Sequence, residues 1–592
     1  TSNIMGNILI DKIRISGFRG LDDFEMSLTP ITVLTGTNNT GKTTILKALQ
    51  LSLGSRSFLS IDDLYISKEK NATEIIIDIR FVSINNEGNI LNDFSEEWEE
   101  VFTSDNIRFI EDFSCVPFRT IISYNSLKSS FDIEQKILVD WYPSEGEKWQ
   151  NIIAKNSRID FSKTPFFYIE AQRDVVDDMK LKTSYLGKML SDVAKAYNKK
   201  DLEELEKLIS TLNQQAVEKS DILSTIQDSL EGINSAMDKN GTGVTISPFT
   251  KKIRDLNKGV SIHYGDSDNS FTMDYHGMGT RSWSSLLTFK AFIKHNAELA
   301  QKENEPFFPI IAIEEPESHL HPNAQKKLYR QMYEMPGQKI ISTHSPYVAS
   351  SASIENLRGL YKDLNNVSCG IINLNEMDDD DKRKLRQKVI NTRGEILFSK
   401  AIVLFEGETE EQALPIMAEK YFGCPASELG INFIGVGGAG NYFPFLQFAQ
   451  SFNIPWYIFS DGEDDPVSKM IAAVKKIRKE LFTTIENEKN VFIIDHKEDF
   501  EKYIIRLDYL NDIKSYLKQI ELTKCVNEQH RESKAKGIDF FCTNNYVLSD
   551  SKKNKTKWAL IYAHAIYNSS KPIPLLVSNL FDKIKIDLHY DK

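Results

Sequence analysis

Residues Gly36-Thr37-Asn38-Asn39-Thr40-Gly41-Lys42-Thr43 spell G-x-x-x-x-G-K-[ST], and their setting decides the fold. The run Ile31–Leu34 before them reads as a strand, and Ile45, Leu46 and Leu49 after them lie on one face of a helix. Strand, glycine loop and helix in that order make a phosphate cradle. Backbone N–H groups wrap the phosphates, Lys42 reaches the β and γ oxygens, and the Thr43 hydroxyl can ligate Mg²⁺. The expected nucleotide contacts are therefore Gly36, Asn38, Asn39, Gly41, Lys42, Thr43 and Thr44, and the expected ligand is ATP.

A second element lies much further along. Ile310-Ile311-Ala312-Ile313-Glu314-Glu315-Pro316-Glu317 is an apolar strand ending in two acids, which resembles a Walker B element. Glu314 is expected to hold the metal's water shell, and Glu315 to orient or deprotonate the attacking water. Alone, such an acid pair is often only a solvated strand end; with the phosphate loop it gains a purpose. The next strand ends in Ser342-Thr343-His344-Ser345-Pro346, where His344 suits a γ-phosphate sensor.

The chain has 592 residues, room for two to four domains at roughly 150 residues each. With 41% hydrophobic and 26% charged residues it reads as globular, which excludes wholesale disorder and fibrous classes. Asp and Glu number 84 against 72 Lys and Arg, so basic surface does not cover the molecule, although a groove or bound metal can still attract DNA. No apolar run approaches the roughly 20 residues of a membrane span. Five cysteines without C-x-x-C spacing argue against a disulfide framework or zinc site. No signal-peptide stretch opens the chain, and a cytoplasmic location is expected.

The architecture expected is α/β. Residues 1–177 and 241–350 form the two parts of an ATPase head, split by a helical insertion at 178–240 whose leucines Leu202, Leu205, Leu208 and Leu212 recur at helical spacing. Residues 351–395, with the acidic run Asp378–Asp381, read as a linker, and 396–592 as a second α/β domain. There, the strand Ala401–Phe405 ends in Glu406-Gly407, with Glu410 opening the next helix. Strand Trp456–Ser460 ends in Asp461-Gly462-Glu463-Asp464-Asp465. Parallel topology brings both strand ends to one edge, so Glu406, Glu410, Asp461 and Glu463 are expected to converge. Carboxylates at that density repel one another, and divalent cations are the usual remedy. Oxygen-only ligands favour Mg²⁺ or Mn²⁺.

Together, Ile-x-Ile-x-x-Phe-Arg-Gly at the start, the phosphate loop, EEPExHLHP and THSP resemble the ABC-type ATPases of the RecF, SMC and OLD (overcoming lysogenization defect) group. The second acidic constellation resembles a Toprim domain, with Asp461-Gly462-Glu463 replacing the usual Asp-x-Asp, and the OLD family joins the two in this order. The resemblance implies an ABC/RecF-like ATPase head followed by a Toprim domain, acting as an ATP-regulated, metal-dependent DNA endonuclease. It places Gly279, in Gly277–Ser282, in the signature segment, and Gln172 near a Q-loop, although Arg173-Asp174 fits an OLD-type motif better. Because heads of this group complete each other's sites, a homodimer or higher oligomer is implied. The insertion is its expected contact. A third acidic stretch and a late lysine are also implied: Glu501, with Asp499 as alternative, and Lys555, with Lys557 as alternative, the lysine offsetting charge in the transition state. Members commonly serve antiphage defence, alone or beside a helicase-like protein or a retron reverse transcriptase with its DNA.

Two rivals remain open on residues alone. A RecF- or SMC-like repair ATPase would clamp DNA without cutting it, against which the second acidic cluster argues. A topoisomerase would need a nucleophilic tyrosine, and none of the 22 tyrosines has an identifiable context.

Overall fold

The computed structural model describes residues 7–54, 59–66, 72–125, 128, 130–157, 159–180, 184–220, 223, 263–264, 271–272, 277–363, 366–391 and 394–590. The insertion expected at 178–240 is thus described only to residue 220 and at 223, by helices Tyr185–Ala196 and Lys199–Glu218. Its junction at 240–241 lies outside the described residues.

The head is built on two sheets. One is antiparallel throughout its described pairs, led by the strands Asn7–Ser16, Glu74–Ile84, Phe113–Asn125 and Ser130–Leu138. The other runs in the order Asn366–Gly370, Leu357–Asp363, Ile31–Thr35, Gln338–Ser342, Ile310–Glu314, Phe166–Ile169, and is parallel except at its Asn366–Gly370 edge. The helix Lys42–Leu53 is clamped between them. Its Ile45, Leu46 and Leu49 are fully buried against Ile13, Ile77 and Phe81 from one sheet and Ile310, Ala312 and Ile340 from the other. Burial on both faces turns these strands into near-continuous apolar runs. Parallel pairing of Ile31–Thr35 with Gln338–Ser342, and of that strand with Ile310–Glu314, brings the phosphate loop, His344 and the Glu314-Glu315 pair to one edge, although about 300 residues separate the loop from the others.

Residues 351–395 are not a linker. Leu357–Asp363 pairs in parallel with the strand leading into the phosphate loop, and Asn366–Gly370 pairs with it in turn. Two strands of the ATPase sheet therefore lie in this segment. Gly359 and Gly370 are where the second domain presses in. A Cβ at 359 would stand 2.5 Å from the Phe452 ring, and one at 370 would stand 2.0 Å from the Ser451 carbonyl oxygen.

The second domain has a four-stranded, all-parallel sheet in the order Ile431–Gly435, Ala401–Phe405, Trp456–Ser460, Val491–Ile493. Period-two alternation divides its central strand. Ile402 and Leu404 face a core shared with the head, running from Ile311, Ile313 and Phe289 through Phe445, Phe448 and Phe452. Ala401, Val403 and Phe405 face the C-terminal helices Phe500–Arg506, Lys555–Asn568 and Leu575–Asp587. No helix among the described residues is long and apolar enough to cross a membrane.

Candidate active sites

The phosphate loop turns back on its own lysine. Asn39 and Gly41 adopt positive φ, 62° and 87°, and the buried Lys42 ammonium donates to the carbonyls of Gly36 and Thr37 at 2.8 and 2.9 Å. Burial pushes its pKa down to about 8, against the opposing pull of the Glu315 and Glu317 carboxylates. Thr43 Oγ1 donates to Glu314 Oε1 at 2.6 Å, and the Tyr168 hydroxyl donates to Glu314 Oε2 at 2.9 Å. The expected metal-water ligand and the loop hydroxyl thus meet directly. Glu315 lies 3.4 Å from His344 Nε2. Burial, helped by the Lys42 charge, lowers the His344 pKa below its ordinary value, so the imidazole is neutral at pH 7.

Two roles escaped the sequence. Glu317, whose pKa burial raises, accepts the backbone N–H groups of His344 at 2.7 Å and Ser345 at 3.1 Å and so sets the sensor loop. Arg173, buried, donates to the Pro316 carbonyl at 2.6 Å and the Ser282 carbonyl at 3.2 Å, tying the Walker B turn to the helix Met278–Glu303. Gln172 lines a cavity of about 540 Å³ with Glu314, Tyr168, Arg19 and Lys47. Gly279 is packed elsewhere: a Cβ there would meet the His319 carbonyl oxygen at 2.5 Å. The structure does not bring it to the phosphate loop of its own chain.

In the second domain the strand Ala401–Phe405 delivers Glu406, and Gly407 leads into the helix Glu408–Phe422, which carries Glu410 in its first turn. Strand Trp456–Ser460 delivers Asp461, and the short helix Phe500–Arg506 delivers Glu501. Glu501 Oε1 accepts from Thr409 Oγ1 at 2.9 Å, which fastens it beside Glu410. Asp499 instead caps its helix, accepting the Lys502 N–H at 2.9 Å.

These carboxylates feel one another. Burial, then the charges of Asp461, Glu501 and Glu406, raise the Glu410 pKa well above the ordinary range. Asp461 rises to about 7, through burial and then Glu501, Asp499, Glu406 and Glu463. Glu406 Oε2 is buried without a hydrogen-bond partner among the described residues. Glu463 is half exposed, 3.8 Å from Lys502 Nζ at the rim, while Asp464 and Asp465 turn to Lys497 and Lys469. No group of three or more His, Cys, Asp or Glu among the described residues is gathered tightly enough to hold a metal as it stands. The donor set nevertheless fits a hard divalent cation: oxygen only, one orphaned buried oxygen and proton-bearing carboxyls that a cation would deprotonate.

Lys555 opens the helix Lys555–Asn568, exposed like Lys557, and is not among the leading charges acting on Glu410 or Asp461. Tyr442, missed in the sequence, is completely buried, and its hydroxyl makes no well-formed hydrogen bond among the described residues. Burial and the charges of Glu410, Glu406 and Asp461 raise its pKa, so the phenol remains a proton donor beside the cluster.

Two consequences are measurable. With Asp461 at about 7 in the fold against 3.8 unfolded, the native state binds the extra proton between those values. Metal-free protein is therefore expected to lose stability as pH rises from about 4 to 7, and divalent metal to flatten that slope; urea unfolding in EDTA and in Mn²⁺ at both ends of the window checks it. Gly462 donates to the Glu498 carbonyl at 2.8 Å, and a Cβ there would lie 2.0 Å from the Ile494 carbonyl oxygen. Gly462→Ala is expected to cost about 3 kcal/mol of stability, read as a lowered urea midpoint.

A family model described as an AAA ATPase domain matches residues 9–349, and one described as the Toprim domain of overcoming-lysogenization-defect-like proteins matches residues 397–462. The chain belongs to the OLD family of AAA ATPases joined to a Toprim domain. Among its relatives are the OLD nuclease of Thermus scotoductus, 24% identical over 81% of this chain and 87% of that one, and the Old nuclease of Escherichia phage P2, 24% identical over 77% of each. Among solved structures, the C-terminal region of the Burkholderia pseudomallei OLD protein is 21% identical over 32% of this chain and 99% of that one, with a TM-score of 0.24. In this OLD-family protein the AAA ATPase domain and the Toprim domain imply use of nucleotide and divalent metal.

Proposed function

We propose that the protein is a Mg²⁺- or Mn²⁺-dependent DNA endonuclease whose ATPase head governs DNA access to the Toprim carboxylates. The observation that carries the reading is the convergence of Glu406, Glu410, Asp461 and Glu501 in one shared field at the edge of a parallel sheet. Bound divalent ions supply Lewis-acid charge, activating water and offsetting charge on the leaving oxygen. Glu406, Glu410, Asp461 and Glu463 would hold them. Glu501, fixed by Thr409, closes one side of the site, and Tyr442 supplies a proton donor. Lys555 is free to reach a bound phosphate.

In the head, Lys42, Thr43 and Glu314 bind nucleotide and its metal, Glu315 positions water, and neutral His344 senses the γ-phosphate. A homodimer, aided by the helical insertion, fits Gly279. The helix Met278–Glu303 begins at Gly277 without a side-chain cap; Thr280 and Arg281 donate to the Gly277 carbonyl, which leaves the Met278 and Gly279 N–H groups to face a phosphate. Antiphage defence beside an operon partner extends the same reading. The test is cleavage of supercoiled plasmid in Mg²⁺ or Mn²⁺ by the wild type and Asp461→Asn; equal rates would sink the nuclease assignment.

A further inference from the structure

The helix Glu528–Phe541 has no buried residue. It ends in Phe540 and Phe541, 79% and 63% exposed, and Tyr546 follows on the helix Asn544–Lys553 at 47%. Large aromatic side chains rarely cluster in water without a partner. The two phenylalanine rings stand edge to face, with centroids 5.7 Å apart, and both remain largely exposed. Their mounting is firm. Cys542 is buried, and Thr543 caps the second helix by accepting the Tyr546 N–H.

That same helix ends in Lys552 and Lys553, and Lys555 and Lys557 open the next; all four are exposed, and no ion pair to any of them is seen among the described residues. The elbow between the helices is fixed by Asp550, which accepts from Trp558 Nε1 at 2.7 Å and Asn554 Nδ2 at 3.3 Å. The neighbouring acids are already engaged: Asp539 with Lys518, and Glu521 with Lys524 and Lys534. On a chain with 12 excess negative charges, residues 552–557 put four lysines and no acid within six positions. This corner is one helix removed from Glu501. The helix that carries Glu501 packs against Asn544–Lys553, and Phe500 and Val547 share one core.

We propose that this aromatic and lysine face binds unpaired DNA, stacking bases on Phe540, Phe541 and Tyr546 while the lysines follow the phosphates, and so presents single-stranded substrate to the Toprim carboxylates. Duplex DNA hides its base faces and would use only the lysines, whereas exposed rings offer every unpaired base a stacking surface. The proposal rests on the nuclease reading for its purpose but not for its test.

The experiment is fluorescence anisotropy with the full chain in EDTA, using oligo(dT) of about 20 nucleotides and a blunt duplex of equal length. Wild type is expected to bind the oligo(dT) more tightly than the duplex. The double variant Phe540→Ala/Phe541→Ala is expected to weaken oligo(dT) binding about tenfold and duplex binding less than about twofold. Lys552→Glu/Lys553→Glu is expected to weaken both and to flatten the salt dependence. An aromatic variant that affects both ligands equally, or neither, overturns the proposal. So does a variant that changes only the mass seen by light scattering, because the face would then join copies of the chain. Wild-type protein that binds oligo(dT) as expected but cuts no DNA in metal would overturn the nuclease reading and leave this one standing.

Discussion

Asp461→Asn is expected to lower DNA cleavage about a thousandfold while leaving the fold intact. The argument is one of charge against shape. Asparagine keeps the oxygen that accepts the Phe500 N–H at 3.1 Å, so the helix carrying Glu501 stays in place. What disappears is an anionic ligand at the point where burial and four neighbouring carboxylates have already lifted its proton affinity to about 7. Lewis-acid stabilisation at a phosphoryl centre is worth several kcal/mol, and about 1.4 kcal/mol is tenfold in rate. Removing a buried carboxyl from a repulsive cluster should also leave metal-free stability unchanged or raised near neutral pH. Three measurements check this together: single-turnover cleavage, Mn²⁺ binding by calorimetry, and urea unfolding in EDTA. Lost cleavage with unaltered Mn²⁺ affinity would mean that Asp461 is not a ligand.

Lys42→Ala is expected to reduce ATP hydrolysis roughly a hundredfold or more, through lost charge stabilisation at the phosphates. In the fold Lys42 is buried, satisfied by two carbonyls and drawn by Glu315 and Glu317. Its removal leaves those carboxylates facing each other without a cation, so nucleotide binding should weaken as well as turnover. If ATP governs access to the nuclease, the same variant will cleave plasmid at one rate with and without ATP. A variant whose cleavage still responds to ATP would separate the two sites functionally.

The phosphate loop and both acid-bearing strand ends were legible in the sequence because each is local: a strand, a turn and a helix start within about fifteen residues. Glu501 was legible only through family resemblance, since nothing near it in sequence announces the Thr409 hydrogen bond that places it. The strands at 357–370 look like linker in the sequence because their partner lies more than 300 residues earlier, and glycines at 359 and 370 weaken any strand pattern. Tyr442 was hidden in an aromatic run, Tyr442-Phe443-Pro444-Phe445, that reads as core. Only the fold shows that one of these rings ends beside carboxylates. Gly279 illustrates the opposite limit: a signature position is recognisable, yet what it completes is not set by its own chain.

The fit of Phe452 against Gly359 carries a consequence for how such a chain can be inherited. Ile402, Leu404 and Phe452 belong to the same buried mass as Ile311 and Phe289, so the Toprim half is not a cassette hung on a motor. A recombination event that exchanged one half between distant relatives would set a foreign side chain opposite Gly359 or Gly370, where no room exists for even one carbon. Those two glycines and the Ser451-Phe452 corner are therefore expected to change together.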